Sequence, residues 1–345
     1  MIQDNKEDYY SIDAESNSRF SAINPEQGGS IKKYLDFIKI DEEKVESISM
    51  ERGSIIHKFI EEPENFLFLE IDKPSDKLGE VADEAIRNVK LRIEELGNPS
   101  ATIIDLDPYV INACRAIGWN SKYGDEALLK NAGVIKPYIN QMLEDDGTKI
   151  TTDRKSKEII TNAIQSLYKH KIATLELLDE YSTKDNVKVY KEESIYWKLP
   201  YSDNGEEKYL DCKAKIDQFR IQFDEKVIVI NDLKTGEFNI GNFDGTFKYK
   251  RIARQLAWYK KAVIEFCMQK EINIDHFEFK FNVIAVETKD EFRTAVFPVN
   301  DLWILKGQEE YTSLLQRIIF HKQNGFEMSM EEYMNDGYML LKNPE

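Results

Sequence analysis

The chain has 345 residues, among them 18 Phe, 17 Tyr and 4 Trp, enough length and apolar mass for one large folded domain or two ordinary ones. Its formal charge of −16 argues against indiscriminate adhesion to nucleic acid, and no apolar run approaches the roughly 20 residues of a membrane helix. Three widely spaced cysteines with no CxxC pair predict reduced thiols, with neither a disulfide framework nor a zinc or iron–sulfur cluster. With the polar, acidic start "MIQDNKEDYY", they lead us to expect a cytoplasmic protein without a signal peptide.

In chain order, "ERGSIIHKFIEE" (51–62) reads as a short helix that turns Ile55, Ile56, Phe59 and Ile60 inward. Residues 80–96 carry Ala82, Ile86, Val89, Ile93 and Leu96 at helical spacing, with Gly97 as the stop. The pattern stays helical from 125 to 181. At 187 it changes: "VKVYKEESIYWKL" and "KYLDCKAKIDQFRIQF" alternate as strands around "SDNGEE", and the turn "DEK" leads into "VIVINDLKTG". These three strands predict an antiparallel meander. A loop at 236–246 precedes a strongly helical "FKYKRIARQLAWYKKAVIEFCMQK", whose apolar stripe is Ile252, Leu256, Tyr259, Val263 and Phe266. Two more strands, "HFEFKFNVIAVE" and "FRTAVFPV", follow, and Asn300 can cap a last helix ending near Gly325. The order predicts an α+β fold, a mixed central sheet packed by helices.

The chemistry gathers where the third strand ends. Residues two apart on a strand share a face, so Asp232 and Lys234 point to one common site. Aspartate is a hard oxygen ligand suited to Mg²⁺ or Mn²⁺, and a lysine beside it can orient water or neutralise charge developing on phosphate. An isolated Asp-x-Lys is ordinarily a solvated pair, as Asp153/Lys155 and Asp224/Lys226 illustrate. The copy at Asp232 and Lys234 differs in ending a buried strand with partners in reach. Asp217 is nearly equidistant with Asp232 from the turn between their strands, so the two can be cross-strand neighbours, and two such carboxylates repel unless a cation lies between them. Gln255 and Tyr259, four apart, share one helical face, in a helix that also carries Lys248, Lys250, Arg251 and Arg254. That helix either packs on the core with a basic rim or lines a site and holds phosphate oxygens. Residues 208–261 have twelve Lys/Arg against seven Asp/Glu, a basic middle in an acidic chain. His57 is a candidate metal ligand, although a lone histidine in an apolar helix is more often a packed core residue.

Taken in order, "GSIIH", "CKAKID", "NDLKTG" and "QLAWY" resemble the motifs of the RecB/RecE-type branch of the PD-(D/E)XK nucleases, with the closer resemblance to RecE-type exonucleases (exodeoxyribonuclease VIII) of phages and prophages. "GSIIHKFIEEPENF" resembles that group's G-x-x-x-H-x-x-x-L-E-P-E-x-F almost throughout. The likeness covers most of the chain except about 67–148. It implies a restriction-endonuclease-like core at 186–345, an N-terminal part at 1–66 with the GxxxH helix, and a mainly helical insertion at 67–185, together one composite domain. It implies that His57, Asp217, Asp232 and the backbone carbonyl of Leu233 ligate Mg²⁺ or Mn²⁺. Lys234 would position or deprotonate the attacking water, and Gln255 and Tyr259 would hold the DNA or the network behind the metal. Glu193, on the first strand of the meander, either adds a metal contact or is simply exposed. Relatives often have proline where Ile216 stands.

The expected activity is metal-dependent hydrolysis of DNA phosphodiesters, with Lys248, Lys250, Arg251 and Arg254 binding DNA. The resemblance further implies an exonuclease acting on double-stranded ends in phage-type recombination or replication, a ring-like homo-oligomer, and a single-strand-annealing recombinase as partner. Two other readings share the fold: an idle DNA-binding scaffold serving such a recombinase, and a structure-specific endonuclease.

Overall fold

The computed structural model describes residues 9, 12–39, 55–60, 66–68, 70–95, 97, 105–143, 150–152, 154–177 and 185–334. The chain divides into two compact units, one of Met1–Gly53 with Gln165–Glu345 and one of Ser54–Ile164. No helix among the described residues is long and apolar enough to cross a membrane.

The first unit opens with α1 (Asn17–Ile23) and α2 (Ile31–Lys39). The second unit begins with a helical stretch at 55–60, α3, where Ile56 is buried; the flanks of the expected 51–62 helix lie outside the described residues. A short strand β1 (Phe66–Phe68), the helices α4 (Asp76–Glu95), α5 (Asp107–Ile117), α6 (Asp125–Ala132) and α7 (Lys136–Leu143), and a second short strand β2 (Ile150–Thr152) follow. On α4 the residues Val81, Ala82, Ala85 and Val89 repeat at helical spacing and are fully buried, meeting Val110, Ala113, Leu128 and Ile139 in a core of their own. The helix expected over 80–96 thus exists and starts four residues earlier. The unbroken helical reading of 125–181 is corrected, because β2 pairs in parallel with β1 and interrupts it. A three-residue strand offers too few positions for alternation to register.

After α8 (Arg154–Lys169) and α9 (Lys171–Leu177) the chain enters the sheet. Strands β3 (Val187–Asp203) and β4 (Glu206–Gln222) form a long antiparallel hairpin, as the alternation predicts. Its turn is Asn204–Gly205, both with positive φ, the turn type whose twist matches a two-residue hairpin. Strand β5 (Val227–Gly236) turns back beside β4, and the chain then crosses over through α10 (Phe243–Tyr249) and α11 (Ile252–Gln269) to β6 (Glu278–Glu287), which runs parallel to β5. The antiparallel strand β7 (Thr294–Val299) and the long helix α12 (Asp301–Asn324) close the unit. The result is a mixed five-stranded sheet in the order β3-β4-β5-β6-β7. Asn300 caps α12 by accepting from the Trp303 N–H at 3.2 Å, and Gly325 ends it.

The single helix expected over 247–270 is two helices. Arg251 adopts φ 52°, ψ 43°, which breaks the axis between α10 and α11, and α10 occupies part of the stretch expected to be loop. No glycine or proline marks that break. Helix α11 then lays Leu256, Trp258, Tyr259, Val263 and Phe266 into the core, with Phe219, Ile228, Ile230 and Phe281 of the sheet.

One feature of the sheet positions the site. β4 pairs with β3 from end to end apart from one gap at Glu192 and Asp217, but with β5 only over Gln218–Gln222. Beyond that point β5 follows β6, and the exposed edge of β4 is met by the N-terminal segment: the Glu15 N–H donates to the Asp211 carbonyl and the Lys213 N–H to that of Glu15, each at 2.8 Å. Two neighbouring strands therefore part company in the middle of a buried sheet.

Candidate active site

The last ladder pair between β4 and β5 is Gln218 with Asn231. The next residues on each strand are Asp217 and Asp232, so the carboxylates stand where the strands open, in the cross-strand relation the sequence predicts. Asp217 Oδ2 accepts from the backbone N–H of Leu233 at 2.7 Å, which replaces the lost ladder bond with a carboxylate bridge. Asp232 is fully buried, and Lys234 Nζ lies 2.7 Å from its Oδ1, confirming that the two share a face. The backbone group of Leu233 that takes part is its N–H; its expected carbonyl role toward a metal is a separate matter.

Burial pushes the Asp217 carboxyl up to about 6, helped by the negative charge of Glu192 and opposed by Lys234, the Leu233 N–H and Lys215. Tyr259 is buried, and its phenol is held well above its ordinary value by burial and then by the nearby charges of Asp217 and Asp232. Gln255 Nε2 donates to the Tyr259 hydroxyl at 2.6 Å. Helix α11 thus brings its Gln–Tyr face to the strand ends, and the helical spacing of the two residues is what makes their bond possible. Lys250, at the break between α10 and α11, is exposed; partial desolvation and then the Lys234 ammonium lower its pKa, while Asp232 acts the other way. It therefore sits within the field of the same pair.

The acid on β3 is Glu192, not Glu193. The Lys191–Gln218 and Glu193–Ile216 pairs of the ladder flank a gap, and in that gap Glu192 has φ 48°. Core-facing positions on β4 slip at the same place, from Leu210, Cys212, Ala214 and Ile216 to Phe219 and Ile221. A local irregularity of this kind re-aims side chains beside a site. Glu192 consequently brings a carboxylate oxygen within 4.8 Å of one on Asp217, and Lys215 Nζ binds it at 2.6 Å. Glu193 is half-buried beyond the kink, on the same alternation as the buried Ile195 and Trp197. Neither Glu192 nor Lys215 follows from the spacing of the motifs, because alternation predicts the wrong face across a positive φ.

The basic residues divide. Arg254 is completely buried: its guanidinium donates to Asn17 Oδ1 and Gln27 Oε1 at 2.9 Å, to Ser21 Oγ at 2.7 Å and to Glu310 Oε1 at 3.1 Å. The expectation that Arg254 contacts DNA is corrected by that enclosure; it ties α1, α11 and α12 together. Arg251 is partly exposed and pairs with Glu26 at 2.6 Å, and Lys248 is exposed beside Asp244. His57 lies half-buried on α3 in the other unit.

The donor set suits a hard divalent cation. Lys215 pairs with Glu192 and Lys234 with Asp232, while Asp217 is held by a backbone N–H in a setting whose desolvation raises its pKa and which added positive charge would relieve.

No protein-family model matches this chain, and no curated protein matches it. A crystal structure from Eubacterium rectale named "Putative exonuclease" is similar over 83% of this chain and 93% of its own, with 13% identity and a TM-score of 0.31. So distant a likeness assigns neither fold family nor activity.

Proposed function

We propose that the chain is a metal-dependent DNA nuclease of the PD-(D/E)XK type, an exonuclease that hydrolyses phosphodiester bonds at double-stranded DNA ends. Beside the four ordered motifs, the observation that supports this reading most is the meeting of Asp217, Asp232 and Lys234 where two buried strands separate, with Tyr259 and Gln255 behind them. Enclosed charges cost stability, and a site that acts on a ligand is one place where a fold retains them.

Asp217 and Asp232 would hold Mg²⁺ or Mn²⁺, with Glu192 in place of Glu193 as an adjoining acid and His57 as the ligand that the "GSIIH" motif suggests. When bound, such an ion supplies Lewis acidity and a water acidified toward neutral pH. The chain's own groups do the rest. Lys234, steadied by Asp232, offers its ammonium to the charge that develops on the phosphate and orients the attacking water. Tyr259, a neutral phenol bonded to Gln255, stands beside the two carboxylates on the α11 side. Lys250 and Lys248 meet the DNA backbone from the exposed end of α10, with Arg251 beside them. A ring-like homo-oligomer and a single-strand-annealing recombinase as partner belong to the same proposal.

Digestion of end-labelled linear, circular and single-stranded DNA with Mg²⁺ tests it. Loss of linear duplex with circular DNA spared is expected. Cleavage of closed circles would favour an endonuclease, and no cleavage of any form would overturn the reading.

A further inference from the structure

On the face of the sheet opposite α11, three side-chain amides stand in one row across three strands. Gln218 on β4, Asn231 on β5 and Asn282 on β6 occupy matched register positions. Asn231, fully buried, donates to Gln218 Oε1 at 2.8 Å and to the Glu176 carbonyl at 2.9 Å, and accepts from Asn282 Nδ2 at 3.0 Å. Gln218 Nε2 donates to the Leu177 carbonyl at 3.2 Å, so the row also caps the end of α9. Glu176 Oε2 accepts from Arg220 at 2.6 Å and from Asn282 at 3.3 Å, closing the row with a charge.

The place of this row is informative. Gln218 and Asn231 form the last pair before β4 and β5 separate, and the residues directly beyond them are Asp217 and Asp232. On the same sheet face Val229 adjoins Asn231 and the buried Arg220, held by Glu176, adjoins Gln218, while the opposite face carries Phe219, Ile228 and Ile230. A satisfied amide row does what apolar packing does not. It fixes strand register, because a slip of one residue would leave several amides unpaired in a dry layer. We infer that Gln218, Asn231 and Asn282, closed by Glu176, are positioning residues that set the spacing of Asp217 and Asp232, and hence the affinity of the centre for a divalent ion. This rests on the proposed nuclease centre and deepens it: the residues touch neither ion nor DNA but fix the two carboxylates that would.

The test is Mn²⁺ affinity by calorimetry, with kcat and KM on linear duplex DNA and thermal unfolding, for the full chain and for Asn231→Leu, Asn282→Ala and Ile318→Ala. Ile318 is fully buried on α12, and its truncation supplies a comparable loss of stability away from the row. A carboxylate pair released from its fixed spacing holds a cation less tightly, so Asn231→Leu is expected to weaken Mn²⁺ binding at least about tenfold and to lower kcat with KM unchanged. Asn282→Ala, which removes one donor from the far end and leaves the Gln218 bond, should do the same to a smaller degree and is the variant to read if Asn231→Leu does not fold. Ile318→Ala should lower the unfolding temperature with Mn²⁺ affinity within about twofold of the parent. The inference is overturned if the parent binds Mn²⁺ and the folded row variants bind it equally, or if Ile318→Ala weakens binding as much. A parent chain that takes up no Mn²⁺ overturns the nuclease reading instead, and the inference with it.

Discussion

Exposed ion pairs occur in both units, but the sheet unit also encloses charge. Along α4 of the helical unit, Lys77 pairs with Glu80 and Arg92 with Glu95 three residues on, and Lys73 reaches Asp83, all with both partners half in water. In the sheet unit, Asp232 and Arg254 are fully enclosed, and their partners reach them through the fold: Lys234 along its strand, Glu310 from another helix. The residue types are the same. What differs is solvent, which screens the first set almost to nothing and leaves the second strongly coupled to its surroundings. Exposed pairs keep a helix soluble; enclosed ones can hold a cation, orient a water, or fail badly when one partner is lost.

That contrast orders the effects of mutation. The largest should come from the strand ends: Asp232→Asn should cut duplex-DNA hydrolysis by about a thousandfold and Lys234→Ala by about a hundredfold or more, measured as kcat, with the fold intact by circular dichroism. An Arg254→Met change should leave chemistry nearly untouched in the folded fraction yet cost about 3 kcal/mol in denaturant unfolding, since it removes a buried guanidinium that holds Asn17, Ser21, Gln27 and Glu310 together. If Arg254→Met instead weakened DNA binding in a fully stable protein, its assignment as an internal tie would be wrong. At the other end of the scale, Lys77→Ala should shift unfolding free energy by no more than about 0.5 kcal/mol.

Between these lies a pH effect. Glu287, buried at the end of β6, is raised by desolvation but held below its ordinary value on balance by bonds from Arg293 and from the Ile240 N–H. A carboxyl with a depressed folded pKa stabilises above its unfolded value and gives that contribution up as pH falls through the folded one. Glu287→Gln should therefore flatten the loss of unfolding temperature between about pH 5 and about pH 3 relative to the parent chain. An identical acid limb would show that the Arg293 clasp does not contribute.

Some of this arrangement is legible in the residues. Asn-Gly between two alternating runs specifies a hairpin, the β-branched run before Asp232 specifies a buried strand, and equal distance from the 223–226 turn brings Asp217 opposite it. Gln255 and Tyr259 follow from helical spacing, and Asn300 and Gly325 bound their helix as their types require. What was not legible depends on backbone departures or on partners far off in sequence. Glu192 displaces Glu193 because a positive φ reverses the alternation, and the α10–α11 break sits on Lys250–Arg251, with no breaker residue to announce it. Arg254 looks like its basic neighbours until Asn17, Gln27 and Glu310 are seen around it. The amide row is invisible in sequence for the same reason: its four members span residues 176 to 282 and meet only through register.

The central claim is that Asp217, Asp232 and Lys234 make a divalent-metal centre that cuts DNA. The most direct measurement is release of label from end-labelled linear duplex by the purified chain, with Mg²⁺ and with Mg²⁺ withheld, beside Asp232→Asn. Release that requires both Mg²⁺ and the aspartate is expected. Intact DNA in every lane, or equal release by parent and variant, would contradict it.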